Sequence, residues 1–546
     1  MTEGTQVRLD AVVIGAGFSG MYALYHLRER LGLEVQVFES SSDVGGTWFL
    51  NRYPGARCDT EAFIYCYSFS KELLNEWTWS GKYPEQRELL SYLQHVADRF
   101  DLRRDIAFNT RVVSAHYDDD SALWTVRTDT GDEYVCQYLV SAMGTLASAP
   151  YRPSIPGIED FAGRWCHTGA WPQDLDLTGR RVAVIGTGST GVQTIPVIAG
   201  QADHLYVVQR SPQYTVPAQH HTVDAAVFAE VRARYDEIWE QSRWSLGGFP
   251  WQHNGLSVFD VSHEERDATF RRLWEEGGFR FIYGSYKDLM TSLDANEVVA
   301  EFVRARMRER IEDPVLAKKL IPYDHPFGSR RPIVDSNYLE TFNRDDVTLV
   351  DLREEELLRI TTRGLLTEAR EYQVDVIVFA TGFDAVTGPF RRIDVTGKNG
   401  VTLQEHWADG ASSYLGLMVS DFPNMFTIAG PGSTFGNHPV TMEHHVEWIG
   451  DCIAFMRRSG IDSMDPTADA ESEYAEEVRA QIRSTVVGET DSWWSGANIP
   501  GKPKVPLFSL YSYRKYRSTC DKAALGGYER FNRNHSRAGD SVTADR

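Results

Sequence analysis

"DAVVIGAGFSGMYALYHL" (Asp10–Leu27) decides the fold. A run of apolar, β-branched residues ends in Gly15-x-Gly17-x-x-Gly20 and passes directly into a helical pattern. In a dinucleotide-binding turn the three glycines have separate duties. The first permits the tight turn, the second lets backbone approach a pyrophosphate, and the third lets helix and strand pack closely. The helix N-terminus then turns free N–H groups toward the phosphates. A second apolar run, "EVQVFES" (Glu34–Ser40), places Glu39 nineteen residues beyond Gly20. An acid at that distance accepts hydrogen bonds from ribose hydroxyls. A lone glycine triplet is a weak signal; strand, helix and terminal acid together indicate a nucleotide site.

The arrangement returns once. "RRVAVIGTGSTGVQTIPVIA" (Arg180–Ala199) carries Gly186, Gly188 and Gly191, with Thr187, Ser189, Thr190 and Gln193 on the turn and first helical residues. The next strand, "HLYVVQRSP" (204–212), ends without an acid. Gln209 and Arg210 stand there instead, Arg210 again nineteen residues past the third glycine. A carboxylate would repel a 2′-phosphate, whereas a guanidinium offers it paired donors. The first site therefore reads as an FAD site and the second as an NADP site. Two further segments add to the flavin reading. "DVGGTW" (Asp43–Trp48) has a glycine pair for close approach to a flavin, and "YQVDVIVFATGFDA" (Tyr372–Ala385) is an apolar strand where an interrupted nucleotide domain would resume.

Segment order predicts an α/β architecture: two Rossmann-like dinucleotide-binding domains, for FAD and NADP, with an inserted helical lobe. The FAD domain is expected at 1–148 and 381–546, and the NADP domain at 149–217 and 328–380. The amphipathic stretches "DAAVFAEVRARYDEIWEQ" (224–241) and "ANEVVAEFVRARMRERIEDP" (295–314) fall in a helical insert at 218–327. The polar end, 530–546, is expected to be disordered.

The 546 residues are 42% hydrophobic, enough for a large core. Lys and Arg number 56 against 77 Asp and Glu, a net charge of −21. Such a chain repels a nucleic-acid backbone, so anionic cofactors must be held by local N–H groups and a few placed cations. The six cysteines form no C-x-x-C pair and read as reduced thiols of a cytoplasmic protein. No apolar run approaches the ~20 residues of a membrane span, and the strand beginning near residue 8 leaves no room for a leader. Composition says nothing of the oligomeric state.

Between the two glycine motifs stands "FAGRWCHTGAWP" (Phe161–Pro172). Phe161, Gly163, His167, Trp171 and Pro172 fill every defined position of F-x-G-x-x-x-H-x-x-x-W-[PD]. In this the chain resembles the type I Baeyer–Villiger monooxygenases, class B flavoprotein monooxygenases, and above all the branch with cyclohexanone, phenylacetone and steroid monooxygenases. "GGTWFLNRYPGARCDTE", "GTGSTGVQ", "RRPIVDSNYLETFNRDDV", "ATGFDA" and "SGANIPGK" follow in the family's order, so the resemblance spans nearly the whole chain.

The resemblance implies that NADPH reduces FAD, that O₂ adds to give a C4a-peroxyflavin, and that a ketone (small cyclic, aryl or polycyclic) becomes an ester or lactone. It implies that Arg331 stabilises the peroxide and the tetrahedral adduct, with Asp59 beside it. Thr47, Trp48 and Tyr65 match flavin-side positions, and Val112 matches a main-chain contact to the adenine. Arg57 lies where the oxidised nicotinamide cofactor is retained, Arg330 serves the 2′-phosphate, and Trp493 matches an NADP-contacting residue on a mobile loop. His167 reads as a lock on the connector rather than a general base.

The chain also departs from the family. Arg330-Arg331 replaces the usual Lys-Arg, Phe49-Leu50 replaces a Tyr-Trp pair, and "LFSLYSYRKYRS" is more polar and basic than the family's Gly-rich stretch. Phe435, Asn437 and His438 are individual, in a loop where substrate choice is set. His438, His444 and His445 have no acid or cysteine at ligand spacing, so no metal is expected. Other readings stay open. A heteroatom (S/N) oxygenating flavin monooxygenase shares both glycine motifs but has no need of Arg331 with Asp59. A disulfide reductase needs a redox pair, and Cys58 and Cys66 lack the spacing. A non-catalytic flavoprotein would share the fold.

Overall fold

The computed structural model describes residues 7–146 and 149–535. Strand β1 (Val7–Ile14) buries Ala11, Val12 and Val13 completely, as a strand covered on both faces must. It pairs in parallel with β2 (Val35–Phe38) on one side and β6 (Glu133–Ser141) on the other. Between β2 and β6 in sequence lie β3 (Ile106–Ala107), β4 (Val112–Asp118) and β5 (Leu123–Thr128). Gly15 has φ +103°, and a Cβ there would lie 2.7 Å from the Ala142 carbonyl. A Cβ on Gly20 would fall 1.8 Å from the Gly15 carbonyl. Helix α1 (Phe18–Tyr25) can therefore lean on β1 only because both positions lack side chains.

A second sheet is parallel throughout. β7 (Arg164–His167), β8 (Arg181–Ile185), β9 (His204–Gln209), β10 (Val347–Asp351) and β11 (Val376–Phe379) lie in the order β10-β9-β8-β11-β7. Its glycine turn leads into α2 (Ser189–Ala199), and again a Cβ on Gly191 would fall 2.2 Å from a carbonyl, that of Gly186. After β11 the chain returns to the first sheet. β12 (Asp394–Thr396) pairs with β4, and β13 (Met425–Thr427) pairs with β6.

Helices occupy 225–320, from Ala225–Ala233 to Pro314–Leu320. Their apolar faces do not close on themselves. Phe270, Phe281, Val299 and Val303 share one core with Val182, Val184 and Ile195 of the second sheet and its helix. The insert is thus packed as an extension of that half.

One expectation is corrected. Residues 531–535 are not disordered: β15 (Phe531–His535) pairs antiparallel with β14 (Ile461–Pro466), anchored by buried Phe531. The remainder of the expected tail, 536–546, lies outside the described residues.

The chain crosses between the sheets twice, and the two crossings run side by side. Tyr151 N–H donates to the Gly382 carbonyl at 2.9 Å, Asp384 N–H donates to the Ala149 carbonyl at 2.8 Å, and Pro150 and Phe383 form a bridge.

Candidate active site

Both glycine turns open on one cavity of about 1720 Å³. That exceeds the ~300–1,000 Å³ of a site for one small ligand, as a volume shared by two dinucleotides and a substrate must. Gly15, Gly17, Glu39, Thr47, Trp48, Tyr65 and Val112 line it from the first half. Gly186, Thr187, Gly188, Ser189, Thr190, Gln193, Arg210 and Arg330 line it from the second. Arg57, Asp59, Arg331 and Trp493 lie on its wall as well.

Arg331 and Asp59 are 272 residues apart in sequence, yet Arg331 Nη2 meets Asp59 Oδ2 at 2.5 Å. Arg331 Nη1 reaches Ser189 Oγ at 3.4 Å, and the Phe279 ring lies 4.9 Å from the guanidinium. Both partners are about four-fifths shielded, at 21% and 17% exposure, so the pair is partly dehydrated without being sealed away. Glu61, two residues after Asp59, forms two bonds to Arg280 at 2.8 and 2.9 Å. Cys58 N–H donates to Pro84 and Ala62 N–H to Lys82. The Asp59 segment is therefore fixed on both flanks, and Glu61 ties it to Arg280, the residue after Phe279. Burial pushes the Cys58 thiol and Tyr65 phenol well up, so both stay neutral beside the pair.

The cradles fit the two cofactors. Gly17 and Gly188 are the N-cap residues of α1 and α2, and neither helix has a side-chain cap. The helix N-terminal N–H groups are thus left for an anion. A Cβ on Gly188 would meet nothing within 4 Å, since the cavity lies there. Glu39 is buried and already held: Oε2 accepts from Ala16 N–H at 2.8 Å and Oε1 from Ser41 N–H at 2.7 Å. Arg210 and Arg330 have no ion-pair partner among the described residues. Burial lowers the pKa of Arg330, against the pull of the Asp324 carboxylate and with a smaller push from Arg210. Two cations near one another, neither engaged in an ion pair, suit a phosphate dianion.

Three sequence-predicted residues sit otherwise than expected. Gln209 does not line the cavity. It is buried and donates through Nε2 to the Lys319 carbonyl at 2.9 Å, because successive strand residues face opposite sides and Arg210 takes the cavity side. Gln193 lines the cavity, but its amide is spent across the halves. It accepts from Tyr53 OH at 2.8 Å and donates to the Arg57 carbonyl at 2.9 Å. Arg57 itself pairs with Glu85 at 2.6 Å.

The stretch around His167 lies at the double crossing. Phe161 is buried, and a Cβ on Gly163 would fall 2.4 Å from the Asp375 carbonyl. His167 pairs with Phe379 in the sheet. Its Nδ1 accepts from Gly169 N–H at 3.0 Å, so Nε2 carries the proton toward the Gly382 carbonyl at 3.1 Å. Burial drives its pKa down to about 4 and keeps the ring neutral. Trp171 packs at the edge of the second half's core. None of Phe161, Gly163, His167 and Trp171 lines the cavity.

Known proteins share this arrangement. Residues 9–222 match the Flavin-binding monooxygenase-like family. A Baeyer–Villiger monooxygenase of Pseudooceanicola batsensis is 43% identical over 532 residues, 96% of this chain and 97% of that one. The chain belongs to the Baeyer–Villiger monooxygenases. A crystal structure of cyclohexanone monooxygenase from Rhodococcus sp. Phi1 bound to NADP⁺ superposes with a TM-score of 0.95 at 42% identity, covering 97% of this chain and all of that one. A phenazine N-monooxygenase of Lysobacter antibioticus is 42% identical over 97% of this chain and 98% of its own length. As a Baeyer–Villiger monooxygenase, the protein contains FAD and depends on NADPH. No helix among the described residues is long and apolar enough to cross a membrane.

Sequence reasoning missed several residues of this Baeyer–Villiger monooxygenase site. Phe279, Arg280 and Tyr283 come from a short helix in the insert with no motif of its own. Lys502 and Asn498, within a block noted only for its order, bind the second crossing. Lys502 Nζ reaches Asp384 at 2.5 Å, and Asn498 donates to the Phe383 carbonyl at 2.9 Å. The Trp493 loop is thereby tied to the crossing that His167 also holds.

Proposed function

We propose that the enzyme inserts one oxygen atom of O₂ beside the carbonyl of a ketone, giving an ester or lactone. The observation that carries this reading is the Arg331–Asp59 pair, set on the wall of a cavity shared by both nucleotide cradles. When bound, NADPH supplies the hydride and FAD the ring that reacts with O₂ and delivers the oxygen atom.

The chain's own residues do the rest. Arg331 presents a guanidinium that stays protonated where water is excluded. Its donors beyond those bonded to Asp59 and Ser189 are free to stabilise the negative charge that collects on a carbonyl oxygen under nucleophilic attack. Asp59 orients the guanidinium and balances its charge before substrate arrives. Phe279 shields one face and keeps the local dielectric low. Arg210 and Arg330 hold the 2′-phosphate, and Glu39 holds the FAD ribose with the lone pairs that its two backbone donors leave free.

Arg331→Ala should retain FAD and still be reduced by NADPH, while ester formation falls by about 10³-fold, the scale of losing a charge-stabilising donor. Ester yield by gas chromatography checks this. Undiminished ester formation would remove Arg331 from the chemistry. A second reading, oxygenation of nitrogen or sulfur, is favoured by the phenazine N-monooxygenase relative. It predicts N- or S-oxides from Arg331→Ala at the wild-type rate, because that oxygen transfer needs no anion-stabilising guanidinium.

A further inference from the structure

The cavity wall carries Phe249, Phe279, Phe435 and the ring of Tyr283, with Phe279 lying over Arg331. Two polar groups interrupt that wall, and the chemistry above uses neither. His438 is the first residue of the 22-residue helix α3 (His438–Ser459), and Tyr283 is the last residue of the insert's short helix Arg280–Tyr283.

Tyr283 and Asn437, the residue before His438, both pack against the glycine pair Gly247-Gly248. Asn437 N–H donates to the Gly247 carbonyl at 2.9 Å. A Cβ on Gly247 would fall 2.7 Å from the Tyr283 ring, and one on Gly248 would fall 3.2 Å from Asn437 Cβ. A side chain at 247 would strike the Tyr283 ring, and one at 248 would crowd Asn437. Both His438 and Tyr283 feel the charge of Arg331, and neither has a hydrogen-bond partner among the described residues. Their polar atoms are not among those sealed inside the protein, because both residues face the cavity. Burial and Arg331 together hold His438 neutral, with its pKa down at about 4. A neutral imidazole offers one donor and one acceptor, and a phenol hydroxyl offers both.

Polar groups left bare in an apolar wall are costly unless a ligand completes them. We propose that His438 and Tyr283 form a polar subsite beside Arg331 that takes an oxygen substituent on the substrate skeleton. Ketones bearing a hydroxyl or second carbonyl are then preferred over hydrocarbon ketones of the same shape. This rests on the ketone reading given above. A methyl group in that position would desolvate both residues and return no hydrogen bond, the situation in which a site discriminates most strongly.

The test compares 3- and 4-hydroxycyclohexanone with 3- and 4-methylcyclohexanone on the FAD-loaded enzyme. Lactone is quantified, and each ketone is also titrated against the flavin absorbance. At one ring position or both, the hydroxy ketone should lead its methyl counterpart by about tenfold or more in kcat/KM. Both His438→Leu and Tyr283→Phe should bring that ratio close to one. Equal or reversed preference in the wild type overturns the subsite, as does a ratio that survives both substitutions. A rise in the NADPH KM with the ratio intact would assign the pair to the cofactor and overturn it too. If no ketone gives lactone, the ketone reading fails on its own. The flavin titration then still decides the subsite, by whether tighter binding of the hydroxy ketone is lost in the two variants.

Discussion

The two nucleotide cradles have the same backbone and opposite ends. In each, a glycine with positive φ lets the strand turn, and a second glycine, five residues on, lets the helix rest on the first one's carbonyl. The strand-end side chains differ in sign and in state. Glu39 is buried and bonded to its own turn through Ala16 and Ser41. Arg210 is exposed and, like Arg330, unpaired among the described residues. The acid is wired into its own turn by two backbone bonds, whereas the guanidiniums make no ion pair among the described residues. The two cradles thus share their backbone geometry and differ in the charge and bonding of one strand-end side chain.

The strongest way to break the comparison is through its shared part. Gly20→Val drives a branched side chain into the Gly15 carbonyl and should give protein without bound flavin, visible as loss of the yellow absorbance. Gly191→Val makes the same clash with Gly186, yet should leave the yellow colour and cut the rate of flavin reduction by NADPH by about 100-fold or more. Loss of colour in both variants would mean that the cradles are not separable.

A smaller effect separates the ends. Arg210→Glu should raise the KM for NADPH by about 10–100-fold, the worth of charge-assisted bonds to a phosphate, and raise that for NADH far less. Glu39→Gln should instead lower the melting temperature as well as FAD affinity, because it weakens bonds the empty fold already makes. Equal penalties for NADPH and NADH would end the assignment of Arg210 to the 2′-phosphate.

The smallest effect lies between the cradles. His167 has its folded pKa depressed to about 4, so the unfolded chain binds its proton more readily. Its contribution to stability is complete above about pH 6.5 and is lost as pH falls toward 4, at about 1.4 kcal/mol per pKa unit. Denaturant unfolding from pH 7 to pH 4.5 should show a shallower loss in His167→Gln than in the wild type. An identical slope would show that His167 does not titrate on unfolding.

What the sequence makes legible follows from how local each signal is. The cradles are readable because glycine spacing and the strand-end count are fixed by the covalent chain. Strand alternation carries a further signal: of two adjacent residues, Gln209 and Arg210, only one can face a cofactor. The Arg331–Asp59 pair joins segments 272 residues apart and is visible only through family resemblance. Tyr283 and His438 come to one cavity from segments about 150 residues apart, and the Gly247-Gly248 pair on which Tyr283 and Asn437 pack carries no pattern at all. The strand Phe531–His535 is hidden in the sequence because "FNRNH" looks like solvent-facing chain. Four polar residues conceal a strand that one buried phenylalanine and the backbone bonds to Ile461–Pro466 hold in place.

The side-by-side crossings have a consequence for how such a chain was assembled. Tyr151 and Gly382, where the second half is entered and left, are hydrogen-bonded to one another. Residues 151–382 therefore form a cassette whose two ends meet at one point. A coding segment for such a unit can be pasted into another protein at a single surface loop without stretching the host, because the host sees only a short gap. The entry and the exit of the second half therefore sit side by side, and nothing in the first half has to open to accommodate it. The histidine beside that junction is the rivet holding the second half to the first.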